Sequence, residues 1–147
     1  MATYRVVILS SWAPADAFGY MARFSNAARW DPGVLGATEL DPGPPRHGSR
    51  YRLLVSALGR SLPLEYRITE LDPPRRVVLQ AQNAMIRSTD VIEVAPAAGD
   101  GSTVTYSATL DPRGPALLLA PLMGVALRRI GDRAAAGLRR ALAGRPA

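Results

Sequence analysis

Residues 103–142 read TVTYSATLDPRGPALLLAPLMGVALRRIGDRAAAGLRRAL. The opening residues alternate. Val104, Tyr106, Ala108 and Leu110 fall on one parity, and Thr103, Thr105, Ser107 and Thr109 on the other. Successive strand side chains point to opposite faces, so this is a strand with one apolar and one wet side. Asp111-Pro112-Arg113-Gly114-Pro115 ends it with turn chemistry. A helix is expected from about Pro121 to Leu142, with Leu122, Met123, Ala126, Leu127, Ile130, Ala134, Leu138 and Ala141 on one apolar face. Gly144 and Pro146 terminate it. A half-wet strand followed by a long amphipathic helix calls for a sheet whose apolar face that helix covers.

Upstream, the same strand signature repeats. Val34–Leu40, Ser49–Ala57, Arg60–Leu71, Arg75–Gln82 and Met85–Val94 are short runs separated by Pro, Gly, Asp and Asn. Tyr51, Leu53, Val55 and Ala57 share one parity, as do Leu64, Tyr66 and Ile68. A first strand covers residues 3–11. After it, Pro14 and Asp16 give a helix-start signature, and a second short helix near Ser25–Arg29 is expected to be capped by Ser25 or Asn26. Trp30-Asp31-Pro32-Gly33 then makes a turn, with Trp30 read as a packing anchor ahead of a ligand contact. The reading is one α+β domain over residues 1–147. It is a curved antiparallel sheet of about seven strands around a long C-terminal helix, with two short helices between strands 1 and 2.

Composition removes several functional classes. The chain has no Cys and one His, His47, in the Pro- and Gly-rich turn Pro44–Gly48. Thiol chemistry, disulfides and a Cys- or His-rich metal site are therefore excluded, and no metal or cofactor is expected. No phosphate loop, dinucleotide fingerprint or His-Glu-x-x-His motif occurs. No leader segment is visible, and the apolar run Ala116–Leu127 is shorter than the ~20 residues of a bilayer span. The default expectation is a soluble cytoplasmic protein. The net charge is +6, and residues 128–147 carry six Arg and one Asp. The basicity thus belongs to the C-terminal segment. Arg129, Arg133 and Arg140 fall opposite the helix's apolar face. They read either as a solvated helix surface or as a docking surface for an anionic membrane or an acidic carrier that delivers the ligand. The Tyr and Arg residues of the strands take opposite faces, which argues against nucleic acid.

Met85–Val94 is the exception to clean alternation. If Ile92 and Val94 point inward, so do Ser88 and Asp90. An inward carboxyl is costly unless hydrogen-bonded. Either Asp90, Ser88 and nearby Tyr hydroxyls form a polar spot in an apolar cavity that orients a ligand or moves a proton, or a β-bulge returns Asp90 to solvent, or Asp90 makes a purely structural hydrogen bond. The cavity is expected to be lined by Tyr51, Leu53, Val55, Leu64, Tyr66, Ser88, Asp90, Tyr106, Met123 and Leu127.

The layout resembles the SRPBCC superfamily, the START-like or birch-pollen-allergen-like helix-grip fold. Within it, the chain is similar to the polyketide cyclase/dehydrase and lipid transport group. The resemblance rests on Ala13–Phe18, Asn26 with Trp30–Val34, Gly48–Tyr51, Leu64–Ile68 with Asp72-Pro73-Pro74, Gly101–Tyr106 and the closing helix. It implies the fold and a hydrophobic ligand, and it supplies no catalytic residue. Two functions are expected to compete, the first favoured, with a stress-related or toxin-like interaction protein acting through the basic helix as a weaker third. One is a binding or carrier protein for a lipid, polyketide or related molecule. The other is a polyketide cyclase, aromatase or dehydratase, in which Asp90 would act as base or orienting group, with Tyr66 or Tyr106 on a substrate carbonyl.

Overall fold

The computed structural model describes residues 1–57 and 59–144, with the side chain at position 57 outside the described set. The inward parity given above to Ala57 and the terminating role given to Pro146 lie outside the described residues. Seven strands form one antiparallel sheet. They are β1 (Ala2–Ser10), β2 (Val34–Glu39), β3 (Arg50–Ala57), β4 (Arg60–Asp72), β5 (Arg76–Gln82), β6 (Ile86–Pro96) and β7 (Ser102–Pro112). Their spatial order is β1-β7-β6-β5-β4-β3-β2, so every pair except β1–β7 is a sequence neighbour. Between β1 and β2 lie α1 (Pro14–Ala22), a 3-10 turn (Phe24–Asn26) and α2 (Ala27–Trp30). A second 3-10 segment (Gly114–Leu119) leads into α3 (Ala120–Ala141), which packs on β1 and α2. This is the helix-grip arrangement expected from the alternating strands and the closing helix.

The inward parities are those of the sequence. Ile8, Leu53, Leu64, Ile68, Val77, Leu79, Ile92 and Val104 are buried, together with Phe18, Met21 and Trp30 from the helices. Two details differ from expectation. The second short helix has no side-chain cap: the Ser25 hydroxyl donates to Glu39 and Asn26 Nδ2 donates to the Tyr20 carbonyl. These residues tie the helical segment to β2 and α1 instead. The apolar stripe of α3 is also narrower than predicted. Leu127, Ala134 and Leu138 are buried and Met123 and Ala126 half-buried, but Leu122 is 66% exposed. At 100° per residue Leu122 lies on the opposite side of the helix from Leu127.

Two glycines seat α3. A Cβ on Gly131 would lie 2.5 Å from the Tyr4 ring, and one on Gly137 would lie 1.9 Å from the Trp30 carbonyl oxygen. Both contacts require a hydrogen where any other residue carries carbon. The Tyr4 hydroxyl also donates to Asp132 Oδ1 at 2.8 Å, fixing the helix rotation against β1. Trp30 is thereby held between α3 and the sheet, and this places its ring over β7.

Candidate functional site

The β6 strand runs without a register break along both neighbours. The bulge reading for Asp90 is therefore wrong. The bulges lie elsewhere, between Val34 and Gly36 and between Ile68 and Glu70. Because β6 is regular, Ser88 and Asp90 both face inward, and Asp90 is only 3% exposed. Small residues stand beside them. Ala81 of β5 is opposite Ser88, and Ala108 of β7 is opposite Asp90. Missing side-chain volume at these positions leaves space above the carboxyl.

Two tyrosines reach into that space. Tyr66 of β4 pairs with Ala81, so its hydroxyl can pass over the small residue and donate to Ser88 Oγ at 2.9 Å. The Ser88 hydroxyl donates onward to Asp90 Oδ1 at 3.3 Å. Tyr106 of β7 lies opposite Ile92, diagonal to Asp90, and donates its hydroxyl to Asp90 Oδ2. Diagonal pairs on one sheet face are within reach of long aromatic side chains. Each tyrosine is braced edge-on by a second aromatic, Tyr66 by Phe24 at 5.0 Å and Tyr106 by Trp30 at 5.4 Å.

Burial pushes the Asp90 carboxyl up to about 7; the hydrogen bonds from Tyr106 and Ser88 oppose this without cancelling it. Burial likewise raises Asp31, against the backbone N–H of Gly33 that its carboxylate accepts at 2.8 Å. The Tyr66 and Tyr106 hydroxyls are raised by the same desolvation and by the Asp90 charge, so they act as donors.

The cavity over Asp90 has a volume of about 160 Å³. Of the expected residues, Leu53, Val55, Leu64, Tyr66, Ser88, Asp90, Tyr106 and Leu127 line it. Tyr51 and Met123 do not. Tyr51 is fully buried, paired with Glu39 and Tyr66 and covered where the Phe24–Asn26 turn packs on β3. Met123 is half-buried a turn before Leu127 but lies outside the cavity lining; Leu127 and Ile130 are the α3 residues that line the space. Trp30 and Asp31 also line it, beyond the packing role given to Trp30 above. The lining contains two carboxyls and, among the described residues, no Arg or His. Ser56 and Ile130 both line the space and reach solvent, and they mark its mouth. His47 is exposed in its turn, away from the cavity. The described residues contain no cluster of three or more metal-ligating side chains.

The family model described as polyketide cyclase / dehydrase and lipid transport matches residues 1–143. No curated protein matches the chain. Among solved structures, it is similar to a START superfamily protein from Mycobacterium smegmatis, with a TM-score of 0.78 and 14% identity over 97% of each chain. It is similar to the Zhui aromatase/cyclase from Streptomyces sp. R1128, with a TM-score of 0.74 and 12% identity over 95% of this chain and 90% of that one. A protein from Thermobifida fusca is 26% identical over 91% of this chain and 90% of that one, with a TM-score of 0.61.

Proposed function

The chain belongs to the polyketide cyclase/dehydrase and lipid transport family, and from that premise we propose that it binds an uncharged, mainly apolar small molecule over Asp90. One polar group of the ligand meets the Asp90 carboxyl, and its apolar body contacts Leu53, Leu64, Trp30 and Leu127. The observation that carries this reading is a buried carboxyl facing an apolar cavity whose lining, among the described residues, holds no cation. A carboxylate ligand would enter against Asp90 and Asp31 with nothing to neutralise it, at a cost of several kcal/mol for a desolvated charge. A ligand hydroxyl can donate to ionised Asp90, and a ligand carbonyl can accept from protonated Asp90. A space of about 160 Å³ is comparable to the roughly 150 Å³ engineered cavity that holds benzene. One ring therefore fills it, and the rest of a longer molecule extends through the mouth at Ser56 and Ile130.

A second reading is favoured by one observation. A carboxyl near 7 has both its acid and its base form populated close to neutral pH. With the Tyr66 and Tyr106 hydroxyls beside it, Asp90 could take a proton from a bound molecule and return it, as a cyclase or dehydratase requires. The similarity to the aromatase/cyclase is one of fold and adds no residue to this case. Native mass spectrometry of the purified protein tests the first reading. An uncharged small molecule is expected to co-purify and to be absent from a folded Ala108→Phe variant. A bound carboxylic acid would contradict it. Incubating the co-purified molecule with wild type and with Asp90→Asn separates the readings: a product of altered mass formed only by wild type marks the enzyme.

A further inference from the structure

The segment before and into α3 is apolar on the side that faces away from the protein. Leu118 is 87% exposed, Leu122 66%, Val125 62% and Leu117 58%. Isolated exposed leucines are ordinary, but four within nine residues form one patch. The helix rotates 100° per residue, and its packed side is fixed by Leu127, Gly131, Ala134 and Leu138. Leu122 and Val125 therefore project outward, on the same side as Arg129, Arg133 and Arg140. Along one face, the surface changes from leucine to arginine within a turn.

The arginines bordering the patch are not neutralised. Arg128, Arg129 and Arg133 are exposed, and none of the ion pairs among the described residues includes them. The one acid in the helix, Asp132, already accepts the Tyr4 hydroxyl. The stretch Gly114–Ala141 is long and apolar enough, by composition, to cross a membrane. Its other side, however, closes the core through Leu127 and Leu138, so a spanning orientation would open the domain.

We propose that this face docks on an anionic lipid surface, with Leu117, Leu118, Leu122 and Val125 entering the acyl boundary and Arg128, Arg129 and Arg133 on lipid phosphates. Apolar side chains beside a row of cations match the layering of a bilayer interface, where acyl chains lie under anionic headgroups. A second copy of the chain fits less well, because pairing two such faces would bring their arginine rows together without acids between them. Ile130, at the cavity mouth, lies one turn from the patch, so docking would bring the mouth close to the lipid. This inference does not depend on which molecule the cavity holds.

The test is flotation of the purified protein with two vesicle types, phosphatidylcholine alone and phosphatidylcholine mixed with phosphatidylglycerol. Binding to the mixed vesicles is expected at low ionic strength, weakening as salt is added, with little binding to phosphatidylcholine alone. Leu118→Gln with Leu122→Gln should weaken binding about a hundredfold, roughly tenfold for each leucine kept from the acyl region. Both positions are exposed, so the melting temperature should not change. In a Leu118→Trp variant, tryptophan emission should shift to the blue on adding mixed vesicles. No binding to the mixed vesicles, or binding that survives the double substitution with no emission shift in Leu118→Trp, would overturn the proposal. So would a concentration-dependent dimer that the double substitution dissociates, since the patch would then be covered by a second copy.

Discussion

Tyr106 donates its hydroxyl to Asp90 diagonally across the β6–β7 ladder, and Ala108, two residues along, leaves open space over the same carboxyl. One strand thus supplies both the donor that orients Asp90 and the gap through which a ligand reaches it. The alternation of β7 produces this juxtaposition, because residues two apart share a face.

Replacing Tyr106 by Phe is expected to raise the Asp90 pKa above its value of about 7. Tyr106 is the larger of the two hydrogen bonds that favour the ionised carboxylate, and burial would then act against Ser88 alone. Carboxyl ¹³C titration of wild type and variant measures this directly. A pKa that falls in the variant would mean that the hydroxyl does not serve the carboxylate.

Asp90 also makes stability depend on pH with a definite sign. Its folded pKa of about 7 lies above the ordinary 3.8, so the folded state holds the proton more tightly than the unfolded chain. Between those two values the unfolded state binds fewer protons, and stability falls as pH rises. The contribution is fully present below about pH 4 and lost above about pH 7. Asp90→Asn removes this slope. The variant should therefore gain on wild type in melting temperature between pH 5 and pH 8; a constant difference across that range would show that Asp90 does not titrate there.

Ala108→Leu should fill the space over Asp90 with apolar volume and remove no polar group. Binding of an apolar probe is expected to be lost while the melting temperature holds or rises, since added methyl groups occupy an existing void. A folded Ala108→Leu variant that binds the probe as wild type does would place the ligand elsewhere.

Gly137→Ala is expected to destabilise the domain by about 1–3 kcal/mol, the usual cost of overpacking. The new methyl would collide with the backbone oxygen of Trp30, which has no freedom to rotate away. Urea denaturation measures the loss. Gly124→Ala is the control: a Cβ there meets nothing within 4 Å, so the substitution should hold or raise stability.

Strand parity and turn chemistry were enough to read the sheet, its order of elements and most of the cavity lining, because a half-buried strand must alternate. The inward parity of Asp90 was legible too. Its commitment to that face was not, because a one-residue slip would have reversed it. Trp30 ends the four-residue helix α2 and Asp31 follows it, and so short an element has no periodicity to say what a side chain faces. Leu122 was assigned to the wrong side: at 100° per residue it falls with Arg129 and Arg133, opposite Leu127, whereas Met123 does lie toward the packed side and is half-buried, but helical spacing does not say how far along the helix the cavity reaches. The helix-interior glycines Gly131 and Gly137 were passed over in the sequence reading; their partners, Tyr4 and the Trp30 carbonyl, come from elements more than a hundred residues away in the chain.

The central claim, that the cavity over Asp90 takes an uncharged apolar ligand, is tested most directly by methyl NMR titration at neutral pH with 2-naphthol and, separately, with 2-naphthoate. The naphthol is expected to shift the methyl resonances of Ala108, Leu53 and Leu127 together, saturably, and not in Ala108→Leu; the naphthoate should leave them in place. Saturable shifts at those methyls from the carboxylate, with none from the alcohol, would contradict the account.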